Sequence, residues 1–213
     1  GYIGNFDLIF SGVIRNVLKE RVGGDIITRV IAAGGGIPST QLSSSLGVNT
    51  RITNILRSVV LATGYPIELV DSQFADVLPY PRGYTLTGDP YKALSNLSKI
   101  HGFKYIVDND TLVIVRDGYV RAGTAHLVSE QTGMEGIPEI TEAGCDVTIR
   151  LNPRIKMGGK IQISSEFKTF NFSNLYFVPV KPNAGSGIYT VTQLEYLGDN
   201  YGDKWTTKIS GIR

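Results

Sequence analysis

Apolar and polar positions change period several times along the chain, and each change marks an element. Residues 6–18 (FDLIFSGVIRNVL) cluster β-branched and large apolar side chains, with Gly12 placed as at a bulge or a close backbone approach. A Gly-Gly turn within 19–25 (KERVGGD) leads to a returning run at 26–34 (IITRVIAAG), and the two runs predict a β-hairpin. Residues 35–48 are rich in Gly, Ser and Pro, the composition of a linker. The period then becomes helical. Ile52, Ile55, Leu56, Val59 and Val60 fall at i, i+3, i+4, i+7 and i+8 and form one apolar stripe. Asn49 or Thr50 is placed to cap its start and Gly64 to end it in the left-handed conformation. A strand follows at 65–70 (YPIELV).

The same kind of unit comes again. A short strand at 84–88 precedes Asp89 at an N-cap and Pro90 at the first helical position. Ala93, Leu94, Leu97 and Ile100 line one face of that helix, and Gly102 stops it. Strands at 103–107 and 111–115 flank a turn at 108–110. The stretches 64–71 (GYPIELVD) and 102–108 (GFKYIVD) share an order of Gly, aromatic, strand and Asp, read here as shared helix–strand grammar rather than duplication. Residues 49–118 thus form a small α+β module with two helices on one sheet face.

Periodicity is weak over 118–145. Strict alternation returns at 146–151, 160–167, 188–198 and 204–212. In the third of these, Ile188, Thr190, Thr192, Leu194 and Tyr196 fall on one pleat and Tyr189, Val191 and Glu195 on the other. β-signal therefore lies on both sides of the module. The economical fold is α+β and β-rich: one β-barrel from residues 1–34 and 119–213, interrupted after a linker at 35–48 by the module at 49–118. Two sequential β-domains are the alternative.

Composition narrows the function. The chain is 42% apolar and 19% charged, enough to build a core. Its net charge of +2 comes from basic residues scattered singly, which gives no footprint for nucleic acid or an anionic membrane. The 25 glycines and 11 tyrosines fit turn-rich β-structure. No apolar run approaches the ~18 residues of a spanning helix. The chain starts at Gly1 without a signal-peptide pattern, as expected of a processed or partial chain.

Candidate chemistry was tested against spacing. The loop GDNYGDK carries Asp199, Asn200 and Asp203 beside Trp205, the only tryptophan. Counted as a calcium loop from Asp199, position 3 is Tyr201, position 6 is Lys204 and position 12 is Ser210. Position 5 is Asp203, so two ligands survive, but the oxygen at position 3, the glycine at 6 and the glutamate at 12 are missing, and Lys204 puts a cation beside the metal. A hairpin loop closed by Asp and Asn side chains fits better. His101 and His126 stand in separate segments without a second ligand at metal spacing, and His101 falls in a last helical turn, where the helix dipole favours an imidazolium. Cys145, the only cysteine, has no motif around it and reads as a small buried hydrophobe. The glycines at 34–36 lack the Gly-Lys-Ser/Thr of a phosphate loop and the spacing of a dinucleotide loop. Glu139 with Glu142, and Asp108 with Asp110, are carboxylate pairs with no sign of converging on a cleft. No catalytic, cofactor-binding or metal-binding residue is assigned, and no cofactor is expected.

One resemblance is more informative. Thr132, Gly133, Met134, Gly136 and Pro138 are followed by the Gly144-led strand and a Leu-Asn-Pro turn at 151–153, and the chain closes with Gly198, Asp199, Trp205 and Thr207. In this order and spacing they resemble the baseplate hub proteins of tailed bacteriophages. The inserted module also looks like the one these hubs carry, so the likeness covers most of the chain. It implies a tail-tube-like antiparallel β-barrel and a structural, non-enzymatic role in the virion. It further implies a homo-oligomeric ring, a trimer, that joins the tail tube to the spike, with the tail tube protein, the spike and other baseplate proteins as partners. It implies neither a membrane span nor sequence-specific nucleic-acid binding. It also implies more sequence before the first hairpin than the chain has, hence a barrel lacking N-terminal strands.

Two other readings stand beside it. Residues 86–115 also look like the small βαββ modules of secretins, which would make the protein a ring-forming periplasmic component of a secretion system. That likeness is silent on 127–213. A cell-wall hydrolase would need a catalytic constellation, and the spacing shows none.

Overall fold

The structure, a computed structural model, describes residues 7–171 and 185–213. Two units result, one spanning Phe10–Tyr119 and one built on Val120–Arg213. Residues 1–6 and 172–184, which the barrel assignment includes, lie outside the described residues.

The first unit begins with a ribbon. Strands β1 (Val13–Val22) and β2 (Asp25–Ala33) pair antiparallel around Gly23-Gly24 and form a two-stranded sheet of their own. Gly23 takes a φ of +63°, which a side chain would strain. Pairing passes from Ile14↔Ala32 to Asn16↔Ile31, so Arg15 is the extra residue of a bulge. Gly12 is not that bulge but a close approach: a Cβ there would sit 2.4 Å from the Ala33 carbonyl oxygen.

The rest of the unit is β3 (Leu42–Leu46), α1 (Ile52–Leu61), β4 (Ile67–Leu69), β5 (Tyr84–Gly88), α2 (Pro90–His101), β6 (Phe103–Asp108) and β7 (Thr111–Arg116). The five stripe residues of α1 are all buried, as their spacing requires. Neither Asn49 nor Thr50 caps it. The N-cap is Arg51 without a side-chain bond, because Asn49 turns through a φ of +58° and the Thr50 carbonyl accepts from Tyr80 N. Helix α2 starts as its sequence dictates: Asp89 accepts from Tyr91 N at 2.8 Å, Pro90 follows, and Gly102 ends it at φ +62°. Leu94 and Leu97 are buried, whereas Ile100 is exposed, so the apolar face is narrower than the sequence suggests.

The sheet order β4-β7-β6 places β7 at the centre, where Leu112 and Ile114 meet the stripes of both helices in one core. Arg116 closes its end. Its backbone N–H donates to Gln73 Oε1, its guanidinium pairs with Asp76, and the group lies 5.7 Å over the Phe74 ring. The linker assignment at 35–48 needs correction. Leu42–Leu46 pairs antiparallel with β5 and buries Leu42. Three serines between two leucines are too polar to read as a strand, yet alternate residues face inward.

The second unit holds β8 (His126–Val128), β9 (Met134–Thr141), β10 (Gly144–Arg150), β11 (Lys160–Ile163), β12 (Thr169–Asn171), β13 (Gly187–Gly198) and β14 (Trp205–Ile212). They form one sheet, ordered β12-β9-β10-β14-β13-β11-β8, that curls into a half-barrel. The inner pairs are antiparallel, whereas the edge strands β8 and β12 join in parallel. The chain is thus α+β and β-rich, with an open sheet in place of a closed barrel among the described residues. Val147, Ile149, Ile161, Tyr189 and Ile209 anchor its core.

Two local breaks hid parts of this sheet. Strand β9 lies in the aperiodic stretch because Gly136 takes a φ of +78°, Pro138 follows, and pairing with β10 slips between Asp146 and Thr148. In β13 the register slips between Val191 and Gln193. The slip turns Leu194 and Tyr196 inward with Tyr189 and Val191, where simple alternation sets them apart. Tyr196 Oη then donates to the Ile155 carbonyl at 2.7 Å.

The tightest backbone contact is at Gly144, where a Cβ would fall 1.8 Å from the Gly211 carbonyl oxygen. Gly144→Ala is therefore expected to force β10 and β14 apart and to lower the stability of this unit by roughly 1–3 kcal/mol. Gly36→Ala, where a Cβ meets nothing within 4 Å, stays near neutral. Denaturant unfolding followed by circular dichroism checks both, Trp205 fluorescence follows the unit that holds Gly144, and a Gly144→Ala midpoint equal to that of the parent chain would refute the steric account.

Candidate functional site

The residues with chemical potential are engaged locally. In the 199–204 loop Tyr201 N donates to Asp199 Oδ1 at 2.9 Å and Asp199 N donates to the Lys204 carbonyl. These are turn bonds, and the described residues hold no cluster of three metal-ligating side chains. The ring of Trp205 lies against Gly198, where a Cβ would come within 2.9 Å of it. Cys145 is buried and its thiol is pushed up to about 12 by burial and then by Asp146, which leaves no thiolate nucleophile at neutral pH. Tyr65 Oη donates to the Gly36 carbonyl, so the glycine run is a packed connector.

The two histidines lie in different units, His101 in α2 and His126 in β8. His101 departs from the dipole-based expectation. Its Nε2 is 2.7 Å from Tyr80 Oη, and burial, reinforced by Arg116, lowers its pKa below the ordinary 6.5. The neutral ring is favoured, with Nε2 free to accept the Tyr80 hydroxyl. One member of each carboxylate pair is bonded to a neighbouring side chain. Asp110 accepts from Ser11 Oγ, and Glu139 accepts from Asn171 Nδ2.

What the structure does expose is surface suited to assembly. The β1–β2 ribbon is exposed along both strands, including Ile14 at 62% and Ile26 at 72%. An isolated two-stranded hairpin is marginal in water, so its base is pinned. Ser11 N donates to Asn109 Oδ1 at 2.9 Å and Ser11 Oγ to Asp110 Oδ2 at 2.7 Å. Asn109 and Asp110 take the left-handed φ values that their two-residue hairpin turn requires, and the turn presents those oxygens.

The half-barrel offers a second feature on its polar face. Register sets Glu135, Thr148, Lys208 and Glu195 in one row across four strands, and Glu139, Asp146 and Ser210 in the next. They line an open trough of about 410 Å³ together with Gly136 and Ile137. Sequence reading located the hairpin but not its exposure, and it missed the trough because β9 was unread.

Comparison with known proteins gives one consistent answer. A family described as baseplate hub gp41 matches residues 2–178. Among curated proteins nothing matches. Two solved structures share the fold. One is the prophage MuSo2 43 kDa tail protein from Shewanella oneidensis, 13% identical, with a TM-score of 0.53 over 96% of this chain and 77% of that one. The other is a tail protein from Neisseria meningitidis MC58, 6% identical, with a TM-score of 0.57 over 96% and 80%.

The Tyr80–His101 contact generates a pH dependence. The unfolded chain takes up a proton near pH 6.5 and the folded one resists it, so this contribution is complete above 6.5 and is lost as pH falls through the lower folded value. The stability of the Phe10–Tyr119 unit should fall between pH 7.5 and 5.5, and His101→Gln should flatten that fall. Chemical denaturation followed by circular dichroism at both pH values measures it.

Proposed function

Because the chain belongs to the baseplate hub gp41 family, we propose that copies of it form the central hub ring joining the tail tube to the spike. The chain is a structural component of a bacteriophage tail baseplate and resides in the virion, in association with other baseplate components. No helix among the described residues is long and apolar enough to cross a membrane. The ring, its three copies, and the tail tube and spike as neighbours belong to the proposal, as do the absence of enzymatic activity and of sequence-specific nucleic-acid binding. So does the assignment of residues 1–34 and 119–213 to a tube-like barrel domain around the module at 49–118.

The observation that carries this reading is the open half-barrel. Among the described residues its sheet ends in β12 and β8, each three residues long, and so leaves a curled surface that a cyclic arrangement of copies would continue. The secretin-like reading accounts for the module alone. The family match runs from residue 2 to residue 178, through the module and into the sheet, and favours the hub.

Sedimentation velocity and electron microscopy of the purified chain test the ring. A closed particle of three times the monomer mass is expected. A monodisperse monomer at high protein concentration overturns the ring reading.

A further inference from the structure

The ribbon's two faces differ in chemistry, and the difference identifies what covers one of them. Cross-strand partners share a face. Ile14, Val17, Val30 and Ile26 therefore lie on one side with Lys19 and Arg21, and no acidic residue joins them. The opposite side carries Val13, Leu18, Val22, Ile27 and Ile31, but there Arg29 is offset by Glu20 and Asp25. One face is apolar and purely cationic, and the other is apolar with a slight negative excess.

The trough on the half-barrel is the complement of the cationic face. Glu135, Glu139, Asp146 and Glu195 set four carboxylates against the single ammonium of Lys208, and Ile137, 59% exposed, supplies an apolar floor. The aliphatic surface left open on the ribbon is also of interface scale. Nine of its Val, Leu and Ile side chains are between 44% and 72% exposed. Four of the nine (Ile14, Val17, Ile26 and Val30) lie on the cationic face, which alone shows on the order of a few hundred Å² of aliphatic surface, the size of patch that marks an interaction site.

We infer that the β1–β2 ribbon is an intersubunit arm whose Lys19/Arg21 face docks into the acidic trough of a second copy of this chain. The occupant is a second copy because the chain itself carries the matching charge pattern. The inference rests on self-association, as the ring does, but on no particular copy number. The pinned base fits an arm: the bonds from Ser11 to Asn109 and Asp110 hold its root while both faces stay open.

Charge reversal tests the pairing. In sedimentation velocity, K19E/R21E should weaken self-association by roughly tenfold or more. E135K/E195K should weaken it similarly, and the quadruple variant should recover most of the loss. R29E, on the opposite face, should leave association unchanged, and Ile26→Asp should disrupt it. Circular dichroism confirms that each variant is folded. Failure of the quadruple variant to recover, or an equal loss in R29E, overturns the arm–trough contact. A ring that persists in K19E/R21E and in Ile26→Asp refutes the arm while leaving the hub reading standing. A monomeric parent protein defeats both.

Discussion

A strand edge carries backbone donors and acceptors that only another strand or water can satisfy, and the described residues make more edge than they cover. The two kinds of open edge are unequal. On the half-barrel they fall on β8 and β12, three residues each and joined in parallel to their neighbours. On the ribbon they run along ten and nine residues. Short edges blunt the sheet against indiscriminate pairing, and the long edges stand on an element rooted at a fixed base. The module's part in this is specific. The two-residue β6–β7 turn places Asn109 and Asp110 in the left-handed conformations it requires, and both side chains are used on Ser11.

How much was legible follows from where each signal lives. Helix α1 was plain because the spacing of its five stripe residues is itself local, although they pack on Leu94, Leu97, Leu112 and Ile114 far along the chain, and β6–β7 was plain because alternation and a polar turn sit side by side. Strand β3 was hidden because serines can face a core when a partner strand satisfies the backbone. Strand β9 was hidden by Gly136 and Pro138, whose irregularity only β10 and β12 compensate. The inward turn of Leu194 and Tyr196 depends on a slip against β14, a property of two strands that neither contains alone. The candidate site was half visible for the same reason. Apolar alternation announces a hairpin but does not say whether either face is covered, and the trough exists only where four strands lie side by side.

His101, Cys145 and Asp199 are each used by their own surroundings. The helix dipole favours a charged His101 by about 0.3–1 kcal/mol, but burial and Arg116 both act against the charge and prevail. Cys145 pairs in register with Gly211 and Ile140 in mid-sheet, where its size matters more than its sulfur. Asp199 closes its own turn. These three groups hold local conformations.

The bulge at Arg15 connects the local sequence to the arm's chemistry. Without the extra residue, continued pairing from Asn16↔Ile31 would set Arg15 opposite Ala32 and bring Val13, not Ile14, onto the Lys19/Arg21 face. With it, Ile14 pairs with Ala32 and extends the patch of Val17, Val30 and Ile26 toward the root, while Arg15 is left out of the ladder. Ile14, Val17 and Val30 then lie together from the root outward, and both cations fall nearer the Gly23-Gly24 tip, where Ile26 stands opposite Arg21. A tip that combines two cations with one aliphatic side chain matches a contact with carboxylates beside the exposed Ile137.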